Sequence, residues 1–373
     1  MGCMEVGNAR LIFRYFGVVM LLSILVFLGF STDRERFGHL LGASIFETLP
    51  RSKVMPMPSE VRAIYVTANT AANPKRVDSL IAFAHESGMN AMVINVKDGD
   101  GLYLGGEMEA IAKRLRSEGI YPIARIVVFQ DNYLAHMWPE EALKTKDGKL
   151  WIGGGVAWMD PSSIDVWNYT VEAAIEALDE GFSEVNFDYV RFPADGNLEA
   201  IVYPEYDKKL TRAEVINGFS KYVTENVKKA YPDAKLSVDI FAHSLLDNGD
   251  VGIGQHFVDI AKYFDVVCPM VYPSHYAPGN FGFQNPADAP YEVVKGTLDE
   301  GLRKLAVATS SHALIRPWLQ DFNMGAIYNR DKVQAQVSAV RDSGLEDGWM
   351  MWNPSNRYDR VKFIAGSDIQ AKR

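Results

Sequence analysis

From Val61 onward, short apolar runs alternate with longer segments whose apolar positions recur every three to four residues. The first pattern predicts buried strands and the second amphipathic helices. VRAIYVT predicts a first strand, with PKRVDSLIAFAHESG as its helix. NAMVINVKD predicts the second strand, followed by EMEAIAKRLRSEG. IYPIARIVVF is the third strand; a long segment holding GKLWIGGGVAWMDP then precedes the helix SSIDVWNYTVEAAIEALDEG. EVNFDYVRF and TRAEVINGFSKYVTENVKKAY form the fourth unit, and KLSVDIFAHS with GQHFVDIAKYF the fifth. DVVCPMVYP leads to APYEVVKGTLDEGLRKLA, ALIRPWLQDF to DKVQAQVSAVRDSG, and DGWMMWNP ends the series before a short DRVKFIAG helix. Gly88, Gly119, Gly181 and Gly344 stand where helices should stop.

Eight strand–helix units over about 300 residues are the count and size of a (β/α)8 TIM barrel, expected here over residues 59–373. An open doubly wound sheet would want a glycine-rich phosphate turn between an early strand and its helix. The glycines of IGGGVAW sit in a long loop and open no helix at that spacing.

The first residues follow a different pattern. Tyr15 to Phe30 is apolar apart from Ser23, and Arg10 and Arg14 precede it. Sixteen residues at about 1.5 Å rise give roughly 24 Å of helix, slightly short of a ~30 Å hydrocarbon core. The expectation is a cytoplasmic N-terminus at 1–14, a transmembrane signal anchor at 15–32 and a linker at 33–58. The barrel then lies outside the cytoplasm. A cleaved signal peptide ending near Gly29-Phe30-Ser31 would also export the chain; a buried core helix is the third possibility.

Hydrophobic residues make up 48% of the chain and charged residues 23%, which fits a globular domain. The formal net charge of −9 argues against nucleic acid as a partner. The two cysteines, Cys3 and Cys268, form no metal-binding spacing. No metal or cofactor is expected.

In such a barrel the chemistry sits at the carboxyl ends of the strands. There the sequence delivers Asp98, Arg125, Asp188 with Arg191, Asp239 with His243, and Tyr272. Strand seven adds Arg316, Trp318, Gln320 and Asp321, and strand eight Trp349, Trp352 and Asn353. Aromatic faces stack on sugar rings, while carboxylates, amides and guanidinium groups bond hydroxyls. Glycosidic bonds are cut by two carboxyl groups, so Asp188 and Asp239, on neighbouring strands, are read together. A separation of ~5–5.5 Å suits retention and ~6.5–9.5 Å inversion; the sequence leaves both open. Asp188 and Arg191 are three apart, on opposite faces of an ideal strand, which argues against a simple structural pair. Asp239 and His243 are four apart and share a face, so a metal-dependent deacetylase could use them. For the same reason of parity, Trp349 and Trp352 cannot both face inward. Arg316, Trp318 and Gln320 share one face, which suits a sugar site better than a dry core.

VINVKDGDG, EVNFDYVRFP, LSVDIFAHS, CPMVYPSHY, IRPWLQDF and GWMMWNPSNRY, in this order, resemble a bacterial family of glycoside hydrolase domains, TIM barrels related to the α-amylase-like hydrolases. The resemblance spans about Val61 to Tyr358. It implies a glycan-active barrel at the cell envelope. It also implies Asp188 as nucleophile, Asp239 as acid/base in a position usually held by Glu, and Asp321 as a third, transition-state carboxylate. Family members often carry an acid where this chain has Asn95. The resulting expectation is a glycosidase acting on an extracytoplasmic poly- or oligosaccharide, with Asp188, Asp239 and Asp321 catalytic. Asp98, Arg125, Arg191, His243, Tyr272, Arg316, Trp318, Gln320, Trp349 and Asn353 would bind substrate. The alternative is a non-catalytic glycan-binding envelope protein on the same barrel.

Overall fold

The computed structural model describes residues 54–308 and 311–363. The expected N-terminus at 1–14, the anchor at 15–32, Cys3 and most of the 33–58 linker lie outside them. Among the described residues, no helix is long and apolar enough to cross a membrane.

Eight parallel strands close into a barrel. They are β1 (Val61–Val66), β2 (Ala91–Asp98), β3 (Tyr121–Val127), β4 (Glu184–Asp188), β5 (Lys235–Phe241) and β6 (Val266–Met270). β7 comes in two pieces, Leu314–Ile315 and Trp318–Gln320, and β8 is Gly348–Trp352. β1 pairs in parallel with both β2 and β8, so no edge remains open. Pro317 explains the break in β7, because it has no N–H to give to the ladder; its carbonyl still accepts from Met350. Gly348 is required for closure: a Cβ there would lie 1.9 Å from the Val61 carbonyl oxygen, and its φ is +91°.

Helices α1 (Pro74–Ser87), α2 (Gly106–Ser117), α3 (Ile164–Asp179) and α4 (Arg212–Ala230) follow β1 to β4. α5 (Phe257–Ile260) is a single turn where the sequence predicts a longer helix, and α6 (Pro290–Val307) and α7 (Arg330–Asp342) complete the ring. In the last segment the described residues form a 3-10 turn at Arg360–Lys362. The ends are set locally. Asn73 caps α1 with Pro74 at its first position, Gly88 ends it in the left-handed region, and Thr211 with Glu214 forms a reciprocal cap on α4.

Strand side chains divide between two cores. Outward residues such as Ile64, Met92, Ile94, Ala124, Phe187 and Met351 pack under the helices. Inward residues, among them Ala63, Tyr65, Val93, Tyr121, Ile123, Cys268, Trp318 and Met350, fill the barrel itself. Residues 54–58, expected as the end of a linker, belong to the barrel's floor. Met55 and Met57 pack against this inner core, and the Met55 amide donates to Ser183 Oγ at 3.0 Å.

Candidate functional site

At the carboxyl end of the barrel the inward positions turn polar. The register places Asn95 of β2 beside Arg125 of β3, and Arg125 beside Asn186 of β4. Two residues further along β4, Asp188 ends the strand. Asp239 enters from β5. All five are buried, with Asp188 at 5% exposure and Asp239 at 1%. β4 ends there because Tyr189 takes φ +56°, a conformation that is strained for a side chain of its size. The turn brings the Tyr189 N–H onto Asp188 Oδ1 at 2.6 Å.

Arg125 stands at the centre. Nη2 donates to Asp188 Oδ2, Nη1 donates to Asn95 Oδ1 at 2.5 Å, and Nε lies 3.8 Å from Asp239 Oδ2. Its guanidinium also lies 5.7 Å from the Tyr65 ring centre and 5.3 Å from that of Trp352. Those two rings are stacked, 3.9 Å apart and 21° from parallel. Burial works against the arginine's charge, but Asp188 and Asp239 outweigh it, so Arg125 stays protonated.

Asp239 is held more deeply. Its Oδ1 accepts from Trp318 Nε1 at 2.7 Å and from Asn186 Nδ2 at 2.8 Å. Burial, reinforced by the charge of Asp188, pushes its carboxyl well above the usual carboxylate range. Arg125 and the two hydrogen bonds pull the other way without reversing it. The same surroundings raise the Tyr272 phenol, through burial first and then Asp239 and Asp188. Asp98, half-buried, joins the edge of the cluster by accepting from Asn95 Nδ2 at 3.1 Å.

Asp98, Arg125, Asp188, Asp239, Tyr272 and Trp318 therefore lie together. Arg191 is near but separate: it forms no ion pair with Asp188, and its guanidinium is enclosed by Trp158, Tyr189 and Phe241 at 4.7–5.0 Å. Its Nη1 donates to the Phe192 carbonyl at 3.0 Å.

Six other expected site residues are placed elsewhere. Asp321 accepts from Lys362 Nζ at 2.6 Å and from Asn353 Nδ2 at 3.3 Å, and none of its hydrogen bonds reaches Arg125, Asp188 or Asp239. Asn353 spends the rest of its amide on Arg357 and Ser355. Gln320 braces loops, accepting from the Ser274 amide and donating to the Phe322 carbonyl. Arg316 lies at the opposite end of the barrel, ion-paired with Glu184, the first residue of β4, and 3.9 Å from the Met57 sulfur. His243 misses the face of Asp239 because β5 ends at Phe241 and His243 opens a short helical turn. Its ring packs on Tyr276 at 4.9 Å, so the Asp239–His243 metal pair is not assembled. Trp349 points outward onto Phe363. Trp352, not Trp349, is the inward tryptophan of the pair, and Tyr65 beside it is absent from the expected site residues. Tyr65 closes β1, and inward parity from Val61 would have found it. Two surface clefts of roughly 300 and 380 Å³ are lined by none of Arg125, Asp188 and Asp239.

A closed eight-stranded barrel, with two carboxyl groups and stacked aromatic rings at its mouth, agrees with the comparison by sequence family. Residues 63–358 match the family described as "Putative glycosyl hydrolase domain". The chain belongs to that family. No curated protein matches the sequence. Among solved structures, an α-galactosidase from Thermus thermophilus aligns with a TM-score of 0.52 at 13% identity, over 87% of this chain and 63% of that one. An α-L-fucosidase from Paenibacillus thiaminolyticus aligns at 0.54 and 11%, over 84% and 50%. This chain thus spans less than two thirds of either enzyme's length, and at these identities the likeness is one of fold. A hypothetical protein from Ruminiclostridium thermocellum is 28% identical over 47% of this chain and 96% of its own, with a TM-score of 0.42.

Proposed function

We propose that this family member is a glycosidase acting on an oligo- or polysaccharide outside the cytoplasm, with Asp188 and Asp239 as its two working carboxyl groups. One observation carries the reading: two neighbouring carboxyl groups share a single guanidinium, and their environments differ. Asp188 accepts directly from Arg125 and from the Tyr189 N–H, whereas Asp239 lies in a tighter, drier position where burial favours its protonated form. A buried acid that favours its protonated form, beside a carboxyl group held by a cation and a backbone N–H, suits the two roles that glycoside cleavage requires. Asp188 attacks the anomeric carbon or activates water, and Asp239 supplies the proton for the departing oxygen. The stacked Tyr65 and Trp352 rings offer a sugar an apolar wall. The α-galactosidase and α-L-fucosidase neighbours make galactosides and fucosides sensible first substrates. Export would depend on the apolar N-terminal segment.

Aryl and natural glycosides test the assignment. The wild-type protein should release product, and Asp188→Asn should not. Asp239→Asn should lose poor leaving groups while keeping much of its rate on nitrophenyl glycosides, which need little protonation. Equal losses on both leaving groups would remove Asp239 from the acid's role.

The 1% exposure of Asp239 favours a second reading, glycan binding without cleavage. In that case the mouth residues would grip sugar, and Asp239 would only adjust the charge around Asp188. Binding with no product from any glycoside would favour it.

A further inference from the structure

A continuous chain of hydrogen bonds runs from the β2 turn to Asp188. Tyr103 Oη donates to Asp98 Oδ1 at 2.8 Å, and the Asp100 amide donates to the same oxygen at 2.9 Å. Asp98 Oδ2 accepts from Asn95 Nδ2 at 3.1 Å. Asn95 Oδ1 accepts from Arg125 Nη1 at 2.5 Å, and Arg125 Nη2 reaches Asp188. Each link fixes the next. Arg125 can only donate and Asp98 Oδ2 accepts, so the Asn95 amide is turned with its carbonyl to the guanidinium and its N–H to Asp98.

A regular strand could not build this chain. Asn95 and Asp98 are three residues apart and would point to opposite faces. The register of β2 against β3 slips between Asn95 and Lys97, and this irregularity re-aims the residues that follow. Lys97 then turns away to Asp131 at 2.7 Å and to the Val127 carbonyl at 2.6 Å, leaving Asp98 beside Asn95.

We propose that Asn95 and Asp98 are positioning residues. Through Arg125 they hold the guanidinium between Asp188 and Asp239, and so govern how the two carboxyl groups share one positive charge. Asp98 is thereby assigned a partner inside the protein rather than a sugar hydroxyl. The function of Asn95 depends on its being an amide: a carboxylate there would accept from Arg125 but have no N–H for Asp98, and would set two like charges together. The assignment rests on the hydrogen bonds and does not require that the protein cleave glycans.

The test needs no substrate. Trp318 Nε1 donates to Asp239, so its indole N–H signal in NMR reports the protonation of that carboxyl. The signal is assigned with Trp318→Phe and followed against pH in the full chain, in Asn95→Leu and in Tyr103→Phe. Asn95→Leu changes no charge and is nearly the same size. Freed at Nη1, Arg125 should withdraw from Asp239, and the midpoint should rise by at least about half a pH unit. Tyr103→Phe, at the far end of the chain, should move it the same way by less. An unchanged midpoint in both variants, with unfolding temperatures near wild type, would overturn the proposal and leave Asn95 and Asp98 as ordinary residues of the end of β2. If the protein proves to be a glycosidase, Asn95→Leu should lower kcat with little change in KM. The titration and the hydrolysis can fail independently.

Discussion

Asp239→Asn should make the barrel more stable above about pH 4 while removing its proposed activity on glycosides with poor leaving groups. An unfolded aspartate loses its proton near pH 3.9. In the folded protein burial and Asp188 hold the Asp239 proton to a higher pH. Below the unfolded value both states are protonated and Asp239 contributes no pH dependence. As pH rises between the two values the unfolded chain binds fewer protons than the native one. Stability then falls by about 1.4 kcal/mol per pH unit until the folded group ionises. Asparagine imitates the protonated acid: its oxygen can keep the hydrogen bonds from Asn186 and Trp318. It never ionises. Above the unfolded value the variant should therefore gain about 1.4 kcal/mol per pH unit on wild type until the folded group ionises. The assay is the midpoint of thermal or denaturant unfolding of both proteins at half-unit steps. Taking the difference cancels the titrating groups that do not interact with Asp239. A difference that stays flat with pH, or that favours wild type increasingly as pH rises, would show that Asp239 is ionised in the native state. The acid–base division between the carboxyls would then be wrong.

The other replacements separate the mouth from its supports. Arg125→Met leaves two buried carboxyl groups without their cation and should cost about 3–5 kcal/mol of unfolding free energy, read in denaturant melts. Arg316→Met should cost a similar ~3–5 kcal/mol because it strands Glu184, yet leave KM for any substrate unchanged, since it lies at the barrel's other end. Trp349→Ala should lose about 3–5 kcal/mol of stability, whereas Trp352→Ala should chiefly weaken binding of oligosaccharide, measured by calorimetry.

The fold was largely legible because the periods of burial were strong. Eight apolar runs separated by amphipathic helices leave few ways to close a sheet. What the periods concealed was local. Pro317 splits β7, and the helix after β5 shrinks to one turn. The site was legible where parity could be trusted: Asp188, Asp239 and Arg125 meet as strand position implies. It failed where backbone irregularity broke parity. His243 lies beyond the end of β5, so its spacing of four from Asp239 no longer set a face. Asn95 and Asp98 share a face only because β2 slips its register, which no count along the sequence reveals. Arg316 shares the polar face of Trp318, but that face runs the length of the barrel. Its depth, beside Glu184 at the floor, is a three-dimensional fact. Asp321 looked like a third carboxylate by its strand, while its partner, Lys362, is 41 residues away.

The most direct test of the central claim is hydrolysis itself. Wild-type protein and Asp188→Asn should be incubated with galactosides, fucosides and envelope polysaccharides, and the products separated by chromatography. The account predicts cleavage of at least one glycan by the wild type and none by Asp188→Asn, with the two unfolding alike. Equal cleavage by both proteins, or binding by both with no product from any glycan, would contradict it.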